Sequence, residues 1–232
     1  MKKIIITATD TGVGKTASCE WLCNHLSLKG KVQYIKPIQC GPGETIEGIP
    51  NSGDAENIRT RNPNITASTL FHLKTPASPH LAFEKEGHRI DSDQVLKKIT
   101  ETISKSKVNI IEGAGGILVP LNRDELFIDL FRKLEIPVIV IIRPGLGTIN
   151  HSLLTLQTLA TQNVPILGFM SAPGDSILFD DNVRCIEEFS KIPFLGKVPH
   201  TQSKLFEDSK YFKKVWKQIE QRYQILGFNH NA

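Results

Sequence analysis

The segment KIIITATDTGVGKT, residues 3–16, decides the fold of this chain. Residues 3–8 form an apolar, β-branched run typical of a buried strand, and a loop with two glycines then leads into a helical pattern. A strand, a Gly-x-Gly-Lys-Thr loop and a helix in this order are the context of a phosphate-binding P-loop, with Ala8 where a first glycine is usual. Because the strand stands in the correct place, we predict a nucleoside triphosphate site rather than a chance match.

Each position of this loop has a predicted task. Backbone N–H groups at the start of a helix bind phosphate oxygens. Lys15 supplies positive charge to the terminal phosphates, and the Thr16 hydroxyl ligates magnesium. The nucleotide-binding residues predicted here are Gly12, Val13, Gly14, Lys15, Thr16 and Ala17.

A magnesium ion bound by one hydroxyl also needs carboxylate ligands, because it is a hard cation. Glu112 is one candidate, since it ends an apolar run and precedes the flexible sequence of residues 113–116, Gly-Ala-Gly-Gly. A buried charge there would be costly without a cation. Asp54 is the other candidate, and a simple helix N-cap is its alternative interpretation.

A second lysine is expected at the same pocket. Lys36 ends the apolar run of residues 32–36, and we expect that run to reach the same sheet edge as the P-loop. Two cations there would suit an anionic substrate or transition state. The alternative is an ordinary solvated lysine. Residues 40–53 form a long connector rich in Gly, Pro, Asn and Ser, and such loops are more often functional than idle.

The alternation of apolar runs with helical patterns predicts an α/β fold with a doubly wound, mainly parallel sheet. Its ligands would lie at the carboxyl ends of the strands. We predict one domain over residues 1–232, with a terminal helical segment from about residue 205. The predicted strands are residues 3–8, 32–36, 108–111, 137–142, 164–170 and 194–198, and the predicted helices are residues 15–28, 91–104 and 149–160.

Composition excludes several classes of protein. The 28 basic and 24 acidic residues give a net charge of +4, too mild to indicate nucleic-acid binding. The basic stretch of residues 210–217 reads as a solvated helix face. No apolar run reaches the roughly 18 residues of a membrane helix, so a cytoplasmic location is expected. The spacing of Cys19, Cys23, Cys40 and Cys185 fits neither a zinc site nor a disulfide scaffold, and we expect Cys19 and Cys23, one helical turn apart, to be reduced thiols in or near the core.

Taken together, these segments resemble the dethiobiotin synthetases, ATP-dependent enzymes of biotin synthesis. The matching segments occur in the order typical of that family. They are residues 9–16, 36–38, 51–55, 78–80, 112–116, 120–121 and 146–151.

The resemblance implies that 7,8-diaminopelargonate reacts with carbon dioxide to give a carbamate, which ATP phosphorylates before the ring closes. Catalytic roles would fall to Lys15, Lys36 and Thr11, and Mg²⁺ would be held by Thr16, Asp54 and Glu112. The substrate would also contact Cys40 and, across a homodimer interface, Gly147, Thr148 and Asn150. Further nucleotide contacts are implied for Gly113, Ala114, Gly115, Val198, Pro199 and His200.

The chain departs from the pattern of that family at four positions. Ala8 replaces a loop glycine, Gly12 stands where some members have Glu, and Cys40 takes the place of a small hydroxyl residue. Ala172 stands where members often have an adenine-recognising Asn. The last departure predicts weak selection of the nucleotide base.

Three other functions fit parts of the sequence. A partition-type P-loop switch ATPase shares the topology, but usually has a second lysine early in the loop, where this chain has Asp10. A cobyrinate-type synthetase normally needs a glutaminase domain, for which this chain is too short. A regulatory nucleotide-binding domain without turnover can be separated from an enzyme only by assay.

Overall fold

The computed structural model describes residues 1–46, 49–51, 53–103, 108–200 and 205–228. The strands are β1 (Lys2–Ala8), β2 (Val32–Cys40), β3 (Gly43–Ile46), β4 (Ile49–Asn51), β5 (Ile65–Leu73), β6 (Val108–Glu112), β7 (Val138–Ile142), β8 (Ile166–Ser171) and β9 (Phe194–Lys197). The helices are α1 (Lys15–Ser27), α2 (Asp54–Arg61), α3 (Pro79–Lys85), α4 (Ser92–Thr102), α5 (Phe127–Leu134), α6 (Thr148–Thr161), α7 (Phe179–Ser190) and α8 (Leu205–Ile225).

Seven strands form one parallel sheet in the order β5-β2-β6-β1-β7-β8-β9. Strand β1 lies at its centre, between β6 and β7. After β1 the chain builds the β2 side of the sheet, and after β6 it crosses β1 to build the other side. Ligands of doubly wound sheets bind at such a reversal of strand order, which here lies at the carboxyl end of β1. The predicted fold class is confirmed.

Both faces of the sheet are covered by helices. In β1, Ile4 and Ile6 belong to the core on the face of α1, α2 and α8, whereas Ile5 belongs to the core beneath α3 to α7. Successive side chains of a strand point to opposite faces, so a strand buried on both faces must be apolar throughout. This explains why the central strands are almost uninterrupted runs of Ile and Val.

The prediction was wrong about the extent of the second strand. Strand β2 continues beyond Lys36 to Cys40, because it pairs with β5 as far as the contact of Cys40 with Leu73. The sequence analysis did not include β5, an edge strand whose residues are mostly half-buried. The predicted loop of residues 40–53 contains the antiparallel pair β3 and β4.

The predicted helices are present as α1, α4, α6 and α8, with ends that differ by a few residues. Asp91 caps α4: its side chain accepts from Gln94 N at 2.7 Å, and Asp91 N donates to Gln94 Oε1 at 3.1 Å. In α8, Phe212, Val215 and Ile219 are buried against the sheet, which leaves the lysines of the basic stretch exposed. Helices α2, α3, α5 and α7 were not predicted. No helix in the described ranges is long and apolar enough to span a membrane.

Candidate functional site

The phosphate loop lies between the loops that follow the two neighbouring strands. Gly113 N, just after β6, donates to Ile6 O at 3.0 Å, and Thr9 N donates to Ile141 O of β7 at 3.2 Å. These bonds extend the sheet pairing to the first residues of the loop. The carboxyl ends of β1, β6 and β7 are therefore held together where α1 begins.

Position 14 requires glycine because of its backbone conformation and because Ala172 lies close to it. Its φ is +112°, and a Cβ at this position would lie 3.0 Å from the Cβ of Ala172. An L-residue is disfavoured in this left-handed region, and the close approach leaves little room for a side chain. The contact also places the end of β8 directly beside the phosphate loop.

Lys15 is buried at the base of the loop, with Nζ donating to Asp10 O at 2.9 Å. Burial lowers the pKa of its ammonium to about 8, with Lys36 adding to the shift and the Glu112 charge opposing it. A buried cation bonded to a carbonyl rather than to a carboxylate remains available to an anion. A bound phosphate would offset the desolvation that lowers the pKa.

Glu112 is the centre of the site, and its side chain is only 1 % exposed. Its Oε1 accepts from Thr16 Oγ1 at 2.9 Å and from Lys36 Nζ at 2.6 Å, while Oε2 accepts from Tyr34 OH at 2.8 Å. Burial opposes ionisation, but the charge of Lys36 and these hydrogen bonds hold the pKa of Glu112 below its ordinary value. The carboxylate therefore stays charged in the interior.

Lys36 joins the two predicted carboxylates. Its Nζ lies 2.6 Å from Asp54 Oδ2 and 2.6 Å from Glu112 Oε1, and its side chain is 7 % exposed. Burial by itself lowers the pKa of Lys36, but the charges of Glu112 and Asp54 outweigh it and raise the pKa above its ordinary value. The interpretation of Lys36 as a solvated lysine at a strand end is thus wrong.

The N-cap interpretation of Asp54 is also wrong. Helix α2 begins at Asp54 itself, and the cap position is Gly53. Asp54 N instead lies 3.4 Å from the acceptor Gln39 Oε1, and its carboxylate is directed to Lys36. The first residue of α2 therefore contributes charge to the site.

These groups line a cleft of about 740 Å³, a size suited to a small-molecule ligand. Most of the predicted site residues lie along its wall. They are Thr11, Gly12, Gly14, Lys15, Thr16, Ala17, Lys36, Cys40, Asp54, Glu112, Ala114 and Gly115. Burial raises the pKa of Cys40 to about 11, so its thiol is neutral.

The remaining predicted residues lie outside this cleft in the described part of one chain. Val13 is buried in the core, and Gly113 packs against Phe131 beneath the loop. Gly147 and Asn150 are exposed at the start of α6. Thr148 is buried, 3.4 Å from Ser152 Oγ. Three more, Val198, Pro199 and His200, follow β9.

The segment after β9 nevertheless approaches the phosphate loop. Val198 N donates to Ser171 O at 2.8 Å, which brings it beside Ala172 and hence beside Gly14. This end of the sheet therefore lies beside the phosphate loop but does not line the cleft. It can border a nucleotide whose phosphates occupy that loop.

Several site residues were missed by the sequence analysis. Tyr34 bonds to Glu112, and Arg143 Nη2 lies 3.1 Å from Asp10 Oδ2 at the start of the phosphate loop. Glu20 and Arg61 pair at 2.8 Å and line the far side of the cleft. The alternation of Tyr34 with Lys36 along β2 was the one available signal, since it places both on one face.

A second cavity, of about 350 Å³, lies beyond α3. His80 lines this cavity, whereas Ser78 and Pro79 line the larger cleft. Ser78 Oγ and His80 Nδ1 are 3.0 Å apart. Segment 78–80 thus forms the partition between the two spaces.

Known structures confirm the fold. A plasmid partition protein of Borrelia burgdorferi bound to AMPPNP has a TM-score of 0.60 at 15 % identity, covering 95 % of this chain and 98 % of that one. The cell division ATPase MinD of Pyrococcus furiosus has a TM-score of 0.56 at 15 % identity, covering 95 % and 99 %. At this level of identity the likeness concerns the fold alone.

Sequence comparison identifies the family. An AAA domain model matches residues 2–205. The ATP-dependent dethiobiotin synthetase BioD of Bradyrhizobium diazoefficiens is 37 % identical over 205 residues, 85 % of this chain and 87 % of its own length. The proteins of the same name from Paramagnetospirillum magneticum and Brucella abortus are 36 % and 37 % identical over 85 % of this chain, and 88 % and 85 % of their own lengths. The chain belongs to the family of ATP-dependent dethiobiotin synthetases.

Proposed function

We propose that this chain uses ATP and Mg²⁺ to carboxylate 7,8-diaminopelargonate and close it to dethiobiotin. The observation that carries the proposal is the convergence of Lys15, Thr16, Lys36, Asp54 and Glu112 in one cleft beside the phosphate loop. A reaction with several anionic intermediates needs buried cations next to a triphosphate site, and this cleft supplies two. Family membership supports the same reaction.

The proposed reaction has three steps. One substrate amine attacks the carbon of CO₂ and loses a proton to give a carbamate. A carbamate oxygen then attacks the γ-phosphorus of ATP, the bond to the β-phosphate oxygen breaks, and ADP leaves. Finally the second amine attacks the carbonyl carbon of the mixed anhydride and loses a proton, the bond to the phosphate oxygen breaks, phosphate leaves, and the ureido ring is closed.

The protein contributes mainly charge and position, as is general for phosphoryl transfer. Lys15, whose Nζ donates to Asp10 O in the loop, would bind the terminal phosphates. In the proposal Lys36 exchanges its ion pairs with Asp54 and Glu112 for the carbamate. The lysine pair also favours the neutral form of a substrate amine, because like charges lower its pKa.

The residues present fit a magnesium ion. A group of three or more His, Cys, Asp and Glu side chains that could hold a metal is absent from the described residues. However, magnesium sites at triphosphates use few protein ligands and keep several waters. Thr16 and Lys36 both contact Glu112 Oε1, and Lys36 also contacts Asp54. The Lys36 ammonium between the two carboxylates shows that this place favours a cation. Thr16, Asp54 and Glu112 would hold Mg²⁺ there, and the ion would offset the charge of the phosphates.

We further propose that the base lies near Val198, Pro199 and His200. Ala172, beside Gly14, lacks the side-chain amide with which an Asn could recognise adenine. GTP and CTP should therefore support turnover at rates close to that with ATP. A preference for ATP above about 100-fold would contradict this part of the proposal.

We propose a homodimer in which α6 of one subunit completes the cleft of the other. Leu146 and Leu154 are 92 % and 57 % exposed next to Asn150, and Leu118 is 54 % exposed. A second copy that covers these side chains would place the N-terminus of α6, a natural anion site, near the substrate carboxylate. Sedimentation of Leu146→Asp and Leu154→Asp variants tests the dimer. Mixing inactive Lys15→Ala and Asn150→Ala proteins tests sharing of the site, since a hybrid would regain activity in one cleft.

The proposed activity is tested by ADP release from the purified protein with Mg²⁺ and ATP. Release should require both 7,8-diaminopelargonate and bicarbonate. An ATP hydrolysis rate that does not depend on the diamine would favour a switch ATPase. No hydrolysis of any nucleotide tested would favour a regulatory domain. The predicted cytoplasmic location is part of the same proposal.

A further inference from the structure

The geometry around Glu112 points to Tyr34 as a positioning residue: we propose that its hydroxyl fixes the Glu112 carboxylate so that one oxygen is presented to Mg²⁺ and the nucleotide. This inference rests on the magnesium-nucleotide chemistry proposed above. It assigns a role to a side chain that lines neither of the two cavities described above.

The contacts divide the two oxygens of Glu112 between different environments. Oε2 accepts from Tyr34 OH at 2.8 Å within the core. Oε1 accepts from Thr16 and Lys36, both of which line the cleft. With Oε2 held by the phenol, rotation of the carboxylate would break the bond to Tyr34. The buried Cys19 thiol also bonds to this carboxylate. Oε1, whose partners Thr16 and Lys36 line the cleft, is the oxygen that can exchange partners when a metal ion and phosphates bind.

The register of the strands explains why Tyr34 is in reach. Tyr34 of β2 pairs with Ile110 of β6, so Glu112, two residues beyond Ile110, lies diagonally from Tyr34 on the same face of the sheet. Tyr34 and Lys36 lie on one face of β2, because alternate residues of a strand do. Tyr34 therefore approaches Glu112 from the interior and Lys36 approaches it from the cleft.

Burial makes the tyrosine a dependable donor. Tyr34 is 0 % exposed, and its ring packs in the core with α1 and α2. A phenol carries one O–H to donate, and the hydroxyl of Tyr34 donates to Glu112 Oε2 at 2.8 Å. Partners that orient a metal ligand typically change metal affinity or activity 10- to 100-fold when removed.

The test compares Tyr34→Phe with Tyr223→Phe. Tyr223 is a matched control, because it is buried and its hydroxyl accepts from Lys3 N at 3.1 Å at the amino end of β1, opposite the cleft. The readout is the Mg²⁺ concentration that gives half of the thermal stabilisation by saturating AMPPNP. We expect Tyr34→Phe to raise this concentration about 10-fold or more. Tyr223→Phe should leave it unchanged.

A structural role alone would give a different result. If Tyr34→Phe lowered the melting temperature but kept the Mg²⁺ midpoint of the wild type, the proposal would be overturned. A wild-type protein with no Mg²⁺-dependent stabilisation would overturn it as well. As a second variant, p-aminophenylalanine at position 34 restores a donor on the same ring, and it should return the midpoint toward the wild-type value.

The proposed function is measured separately, by dethiobiotin formation in the same wild-type preparation. A Mg²⁺ midpoint that responds to Tyr34→Phe in a protein that makes no dethiobiotin would support the positioning role and refute the reaction. Dethiobiotin formation by the wild type, together with a Mg²⁺ midpoint that Tyr34→Phe does not change, would support the reaction and refute the positioning role.

Discussion

Replacing Lys36 by Met should destabilise the fold strongly in the absence of Mg²⁺. The substitution keeps much of the side-chain volume but removes the cation shared by Glu112 and Asp54, whose side chains are 1 % and 18 % exposed. Removing one partner of a buried ion pair costs about 3–5 kcal/mol. Because Asp54 keeps some contact with water, we expect the lower end, about 3 kcal/mol, or a melting temperature lower by roughly 6–12 °C for a chain of this size.

The assay is urea unfolding at pH 7, with and without Mg²⁺. Added Mg²⁺ should restore part of the loss in Lys36→Met, because the ion can replace the missing charge between the carboxylates. Without Lys36, burial favours protonated Glu112, so its folded-state pKa rises and the deficit should shrink as the pH is lowered toward 5. The matched control is Lys2→Met, which removes an ion pair at 2.7 Å whose carboxylate, on Glu220, is 39 % exposed. That loss should not exceed about 1 kcal/mol.

Equal losses in Lys36→Met and Lys2→Met would refute this reasoning. So would a Lys36→Met deficit that is insensitive to both Mg²⁺ and pH. Either result would mean that Lys36 does not neutralise a buried pair of carboxylates.

Three further predictions concern single residues. The pKa of Lys15 is about 8 in the free protein, and a bound phosphate should raise it. ATP affinity should therefore fall as the pH rises through 8. Calorimetry in buffers of different ionisation enthalpy should show proton uptake on binding. Glu125→Ala should cost about 1–3 kcal/mol, because Ser92 N loses its acceptor at 2.8 Å. Hydrogen bonds lower the pKa of Glu125 to about 2, so the contribution of Glu125 to folding is present above its unfolded pKa of about 4.5 and is lost as the pH falls from 4.5 toward 2. The unfolding free energies of the wild type and Glu125→Ala should therefore converge over this pH range. Gly14→Ala should cost about 1–2 kcal/mol from its φ of +112° and weaken ATP binding, measured by unfolding and by calorimetry. Unchanged values would contradict the requirement for glycine at position 14.

The sequence was sufficient to predict the centre of the fold. Strands such as β1 and β7 are buried on both faces, so their apolar runs are unambiguous. The edge strand β5 is mostly half-buried and carries polar residues, and it lacks that signal. Helices α2, α3 and α5 have seven or eight residues, too few for a helical period to stand out.

The site was predictable where chemistry is local in sequence. The phosphate loop is contiguous in sequence. Glu112 ends a buried strand, where a carboxylate is costly unless a cation lies beside it. Tyr34 was not predictable, because a tyrosine in an apolar strand reads as core, and only the pairing of β2 with β6 brings its hydroxyl to Glu112. The true environment of Lys36 depended likewise on β5, which extends β2 past it.

The central claim is that this cleft joins a carbon atom from bicarbonate to 7,8-diaminopelargonate at the expense of ATP. The direct measurement is mass spectrometry of the product formed from ¹³C-bicarbonate, with ADP quantified in the same reaction. We predict dethiobiotin one mass unit heavier than the unlabelled compound, one ADP for each molecule, and neither product with Lys15→Ala. ADP formed without labelled dethiobiotin, or labelled dethiobiotin formed without ATP, would contradict the claim.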